Sequence, residues 1–169
     1  MDVLFFKDSV FEMLGAISSL MIAYGVLILY IFARKKERRE RVEYASRYIQ
    51  KWNEPEFFHR MARLFNDNNV DLIRQLQPAS YDAFRVNSKT GFDDVVNILN
   101  FMEDLAQSIE SGLADEYTLR RYFQQPLVET YKILEPFVQI TRTQKYNPSA
   151  FRSTERLIGS WSFSEPLGE

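Results

Sequence analysis

Apolar positions along this 169-residue chain fall into two regimes. From Met13 to Ala33 they run together: "MLGAISSLMIAYGVLILYIFA" is 21 residues without a charge, interrupted mainly by small side chains. As a helix rising about 1.5 Å per residue this stretch covers ~31 Å, the thickness of a bilayer's hydrocarbon core. Extended back to Val10 it takes in one charge, Glu12, near its outer end. Ser9 and Glu12 have the S-x-x-E spacing of a capping box, which predicts a helix start there. A cleavable signal peptide would carry its positive charge ahead of a shorter apolar core and end in a small-residue cleavage site. Here the positive charge follows and the run is longer, so the pattern predicts one uncleaved transmembrane helix over residues 10–33.

Beyond Ala33 the apolar residues return at helical spacing. Val42, Ala45, Ile49 and Trp52 follow a 3-4-3 rhythm with no Gly or Pro before Pro55, so the helix is predicted to continue through residues 34–52. Asn53-Glu54-Pro55 reads as a stop followed by a restart, because proline is tolerated in a first turn. "EFFHRMARLF" then predicts a short helix ending at "NDNN", residues 70–77 another before Pro78, and "NSKTG" a loop. The clearest stripe follows: Phe92, Val95, Val96, Leu99, Met102, Leu105, Ala106 and Ile109, with Gly112 as C-terminal cap. Asp115 is placed to cap the next helix, whose stripe is Leu119, Tyr122, Phe123, Leu127, Tyr131, Leu134 and Val138. Pro126 and Pro136 predict kinks or breaks in it. Pro148 to Ile158 fits a last short helix, and no strand-like alternation of any length occurs.

The fold class is therefore all-α: a single N-terminal transmembrane helix continuing into a small cytosolic helical bundle. The expected divisions are a short extracytoplasmic N-terminus (1–9), the transmembrane helix (10–33), a basic juxtamembrane helix (34–52), a cytosolic helical domain (53–161) and a tail (162–169).

Charge adds orientation. The formal net charge of −2 hides an order along the chain. Ten Lys/Arg face five Asp/Glu between Arg34 and Arg63, and ten face fifteen from Leu64 onward. Six of the basic residues, Arg34, Lys35, Lys36, Arg38, Arg39 and Arg41, follow directly on the apolar run, whereas Lys7 alone precedes it beside Asp2 and Asp8. Each Arg or Lys held at mid-bilayer costs about 2.5–3.5 kcal/mol, so this cluster stops translocation and predicts an N-terminus outside and a cytoplasmic C-terminal domain at the inner membrane. Tyr30 and Phe32 sit where interfacial aromatics belong. Pinned there, the cluster has anionic lipid headgroups as its expected partner rather than nucleic acid. Gly15, Ser19 and Ala23 place small residues every four positions along the span, a spacing that lets a second helix approach closely in a homo-oligomer or a hetero-complex.

Candidate chemistry changes the picture little. With no cysteine, disulfides and thiolate metal sites are excluded. Glu56 and His59 share the spacing of a di-iron carboxylate helix, but His59 is the single histidine, so a metal site would have to be shared between chains. The acidic pairs Asp93-Asp94, Glu103-Asp104 and Asp115-Glu116 read as helix starts or a solvated face. Phosphate-cradling glycine loops and nucleophile elbows are missing. No catalytic, cofactor-binding or metal residue is assigned.

"ILNFMEDLAQSIESGLADEYTLRRYF" and "LEPFVQITRTQ" carry a resemblance, through Leu99, Asn100, Glu103, Gly112, Asp115, Arg121, Pro136 and Arg142. On these residues, and on the anchor, the chain resembles an uncharacterised bacterial and phage domain-of-unknown-function group. That resemblance implies one N-terminal membrane helix and a cytosolic helical domain, and no activity. The expected function is a non-enzymatic, single-pass membrane-anchored interaction protein: an accessory subunit, scaffold or docking module. Two alternatives stay open. One is a membrane-tethered sensor or effector, as in phage defence or stress response; the other is an enzyme built on a Glu56/His59 site shared in a dimer.

Overall fold

The computed structural model describes residues 2–144 and 147–163, with residues 2–17, 67 and 144 described in their backbone alone. Two compact units divide the chain, residues 1–40 and 41–169. All described secondary structure is helical: α1 (Asp2–Trp52), α2 (Pro55–Leu64), α3 (Asp67–Arg74), a 3-10 turn at Pro78–Ser80, α4 (Tyr81–Asn87), α5 (Lys89–Glu110), α6 (Glu116–Gln144) and α7 (Arg152–Ser162).

The first unit consists of the N-terminal part of α1. This helix starts at Asp2, upstream of the predicted Ser9–Glu12 box, whose side chains lie outside the described residues. Between residues 18 and 33 no side chain is buried. Leu20, Met21, Ile22, Val26, Leu27, Leu29 and Phe32 are each more than half exposed. Fully burying one such side chain is worth roughly 1.5–3 kcal/mol, so this helix carries on the order of 10–20 kcal/mol of unsatisfied apolar surface. It is long and apolar enough to cross a membrane.

The second unit is built around α5. As predicted, α5 buries Val95, Leu99, Met102, Leu105 and Ala106, but Ile98 and Phe101 are buried too. The apolar arc is thus wider than one stripe, and α5 packs on α2, α4, α6 and α7. From α1, Ala45 is fully buried, and Tyr44, Tyr48, Ile49 and Trp52 pack against the core. Trp52 joins an aromatic cluster with Phe57, Phe101 and Phe123, with ring centroids 5.2, 5.7 and 5.3 Å away. A second cluster links Tyr81 to Phe92 at 5.9 Å and both to Phe137 at 5.5 Å. The first cluster locks α1, α2, α5 and α6 together; the second fixes α4 on α5 and α6.

Several boundaries move. "NSKTG" is not a loop: α4 ends at Asn87, only Ser88 intervenes, and α5 begins at Lys89, with the Phe92 N–H donating to the Ser88 carbonyl at 2.8 Å. The short helix expected at 70–77 starts earlier, because Asn66 caps it by accepting from the Asn68 N–H at 3.2 Å. α6 runs unbroken through Pro126 and Pro136. Each proline removes one backbone donor, yet Phe123 and Leu127 around the first, and Leu134, Phe137 and Val138 around the second, are buried and hold the segments in one helix. Tyr122, assigned to the stripe, is exposed, and its hydroxyl donates to Asn53 Oδ1 at 3.0 Å.

The α5–α6 turn follows the sequence closely. Gly112 takes φ +71°, and the N–H groups of Gly112 and Leu113 donate to the Ile109 and Ser108 carbonyls at 2.9 Å each. That is a Schellman closure, which needs the left-handed residue glycine supplies. Asp115 then caps α6 by accepting from the Thr118 N–H at 2.9 Å and the Thr118 hydroxyl. The Asp115 N–H in turn donates to the Arg41 carbonyl at 3.2 Å.

Candidate interaction site

In the first unit the predicted lipid-facing cations, Arg34, Lys35, Lys36, Arg38 and Arg39, are all exposed on one helix. The Arg34 guanidinium lies 5.2 Å from the Tyr30 ring centroid, a cation–π contact at the end of the apolar run. Lys36 pairs with Glu40 at 3.8 Å, one turn on, with both groups solvated. Of the small-residue face, Ser19 and Ala23 are exposed on α1, and Gly15 lies outside the residues whose side chains are described. Arg41, the last of the cluster, belongs to the second unit and is exposed there.

The acidic pairs are where the structure departs most from the sequence reading. Asp94 is 2% exposed rather than solvated. Its carboxylate accepts two hydrogen bonds from Arg63, Nε to Oδ2 at 2.7 Å and Nη2 to Oδ1 at 2.9 Å, a bidentate fork. Arg60 stands 3.9 Å from Oδ1 and also pairs with Glu56. The bond to Asp94 holds the Arg63 guanidinium above its ordinary value.

Glu103 reaches from α5 to the first turn of α7. It accepts from the Ser153 N–H at 3.3 Å, the Thr154 N–H at 2.9 Å and the Thr154 hydroxyl at 2.8 Å. Helix α7 needs this, because its own N-cap position, Phe151, has φ 57° and offers no capping side chain. Two turns along α5, Glu110 accepts from the Ser153 hydroxyl at 2.8 Å and from Arg156 Nε at 2.9 Å. Burial raises the Glu110 carboxyl, but the bonds from Ser153 and Arg156 outweigh it and leave the group below its ordinary value. Arg142 closes the other side: Nε donates to the Ala150 carbonyl at 2.9 Å, and Nη1 meets Glu155 at 2.9 Å. At the far end the Trp161 indole donates to Glu116 at 3.1 Å. Glu103, Glu110 and Glu116 thus fasten α7; none is a free surface acid.

The Glu56/His59 pair gathers no ligand set. Glu56 turns to Arg60, His59 is exposed beside the Phe58 ring, and among the described residues no three His, Asp or Glu side chains converge. A shallow groove of about 210 Å³ is lined by Lys51, Glu56, Arg60, Asn97, Asn100 and Asp104, with Phe101 as its floor. Its charges are of both signs and partly paired, and it falls short of the ~300–1,000 Å³ typical of small-molecule sites. Two tyrosines are pushed up by burial: Tyr48, and Tyr131, which reaches about 12. The Tyr48 hydroxyl donates to the Asp104 carbonyl at 3.1 Å, whereas that of Tyr131 is buried without a hydrogen-bond partner among the described residues.

The apolar stripes of α5 and α6 form the interior of this unit. Exposed apolar side chains of the second unit include Phe58 on α2, Phe65 just after it, Leu72 on α3, Val86 on α4, and Leu113 and Tyr117 at the α5–α6 turn. The α2 pair could have been read from "EFFHRMARLF", where Phe57, Met61 and Leu64 account for one face and Phe58 and Phe65 are left over.

No curated protein matches the chain, and no solved structure does. A family model described as "Domain of unknown function (DUF4760)" matches residues 11–161. The chain belongs to that family.

Proposed function

We propose that this family member is a non-enzymatic, single-pass membrane-anchored interaction protein, an accessory subunit, scaffold or docking module of a membrane-associated complex. The observation that carries it is the all-round exposed apolar stretch of α1, followed at once by six basic residues. A helix that is apolar on every side needs either a protein interior or lipid around it. Among the described residues nothing buries positions 18–33. The basic flank orients the span with its N-terminus outside and the helical unit in the cytoplasm, and it rests on anionic headgroups of the inner membrane. Close approach of a second helix along Gly15, Ser19 and Ala23 gives the anchor a route to a homo-oligomer or a partner span. In the helical unit the buried Asp94, the half-buried Glu103 and the exposed Glu110 are all committed to structural bonds, which favours binding over catalysis as its work.

Because the chain has no cysteine, its topology can be read with single substitutions. In intact cells, Val3→Cys should react with a membrane-impermeant maleimide, and Val86→Cys only after permeabilisation. Release by alkaline carbonate would sink the span, and the reverse labelling pattern would sink the orientation. Cross-linking before mild solubilisation tests the interaction role, which a chain recovered alone and monomeric would contradict.

A further inference from the structure

We infer that α1 pairs in the bilayer with the α1 of a second copy, through a seam of Met21, Tyr24, Ile28 and Ile31 in which the two Tyr24 hydroxyls bond to each other. This rests on the membrane-span reading above and names a partner and a contact face for it. The first observation is the depth of Tyr24. It stands 11 residues after Met13 and nine before Ala33, close to the middle of the uncharged run. At about 1.5 Å per residue its Cα is ~13 Å from the inner boundary and ~16 Å from the outer one. Helical side chains lean toward the N-terminus, which carries the phenol further from the basic flank, and a tyrosine is too short to reach either headgroup layer. Tyr30, by contrast, lies within a turn of the inner boundary, where a tyrosine is at home.

The second is its chemistry. The Tyr24 side chain is 66% exposed, and its hydroxyl meets no hydrogen-bond partner among the described residues. A hydroxyl without a partner is strongly penalised in hydrocarbon, so a donor at this depth calls for an acceptor from another span. A phenol both donates and accepts. The shared basic flank gives every copy the same orientation, so a second copy brings its own Tyr24 to the same depth and the pair satisfies itself. The third is the setting. Met21, Tyr24, Ile28 and Ile31 recur at 3-4-3 spacing, the rhythm of a left-handed helix pair, in which one polar seam residue fixes the register. A Cβ built on the adjacent Gly25 would meet no heavy atom within 4 Å, which leaves room beside the ring. The seam lies roughly 120–160° round the helix from Ala23 and Ser19, so it is a different face from the small-residue one.

The test uses the full chain, purified and reconstituted alone into vesicles of phosphatidylcholine with a minority of phosphatidylglycerol. Because the chain has no cysteine, single substitutions map the contact. Oxidation should join Met21→Cys and Ile28→Cys copies into disulfide dimers and leave Ala23→Cys monomeric. Energy transfer between chains labelled at Val86→Cys, followed against the protein-to-lipid ratio, should show Tyr24→Phe associating about 3–30-fold more weakly than the parent. Alkaline carbonate extraction of cell membranes reads the span by itself. Chains that resist carbonate but stay monomeric, or that join through Ala23→Cys and not through 21 or 28, overturn the pair and leave the span standing. Equal association of Tyr24→Phe and the parent removes the bond that carries the proposal and overturns it. Release by carbonate takes down the span and the pair together.

Discussion

Removing the carboxylate of Glu103 should detach α7 from the helical unit. In Glu103→Ala, the N–H and hydroxyl of Thr154, a residue 1% exposed, lose their acceptor, and so does the N–H of Ser153, 6% exposed. A buried donor left unpaired costs about 1–3 kcal/mol. Glu103 is itself only half-buried, so water recovers part of that, and the loss of an anion at the helix start adds about 0.3–1 kcal/mol. The expected cost is about 2–4 kcal/mol. Glu103→Gln keeps one acceptor oxygen but not the charge that strengthens the bonds, and should cost about 1 kcal/mol. Denaturant unfolding in detergent gives the totals. Hydrogen exchange of amides 153–161 and the emission of Trp161 report whether α7 opens first, as a locally unfolding element. If Glu103→Ala loses less than about 1 kcal/mol and the α7 amides exchange as in the parent, the capping role of Glu103 is refuted.

Three further predictions concern the same unit. Tyr131→Phe should be neutral or stabilising by up to about 1 kcal/mol, because it deletes a buried hydroxyl that has no partner. With its folded value raised to about 12, Tyr131 binds its proton more tightly folded than unfolded, so the parent should lose stability as pH rises from about 10 toward 12 and the Phe variant should lose less; thermal melts across that window decide. Glu110 has the opposite sign: its lowered folded value stabilises the unit above the ordinary carboxylate range, and that contribution disappears as pH falls through the folded value. Glu110→Gln should therefore flatten the acid side of the stability profile, and an unchanged acid limb would contradict the assignment. Gly112→Ala meets no neighbouring atom but forces a side chain into φ +71°, so its cost should be conformational, about 1 kcal/mol by denaturant midpoint.

The architecture was legible because it rests on local signals. The apolar run of α1, the α5 stripe with its Gly112 stop, the Asp115 cap and the Val42–Trp52 rhythm each lie within a few turns of chain, and each appears in the structure. What escaped was set by distance along the chain. Asp94 read as solvated because its partner Arg63 is 31 residues away, and Glu103 because Thr154 is 51 residues away. A usable signal existed in Ile98 and Phe101, apolar residues outside the α5 stripe that mark a helix covered on several sides, whose acids then face neighbours. Composition marked a break at "NSKTG" but overstated its length, because Ser88 alone separates the two helices. The small-residue face of α1 and its lipid contacts stay proposals, since packing in a bilayer leaves no trace in the chain's own contacts.

These reassigned acids change what the order of charge along the chain means. A basic stretch followed by an acidic one looks like a single device, a dipole set against an anionic surface. In the folded unit, however, Asp94, Glu103, Glu110 and Glu116 are all taken up by Arg63, α7 and Trp161. These four acids therefore hold helices together, while Glu110 and Glu116 stay exposed to solvent. The two halves of the pattern then have separate causes: in the proposed function the basic run stops and orients a span, whereas Asp94, Glu103, Glu110 and Glu116 cap and clamp a bundle.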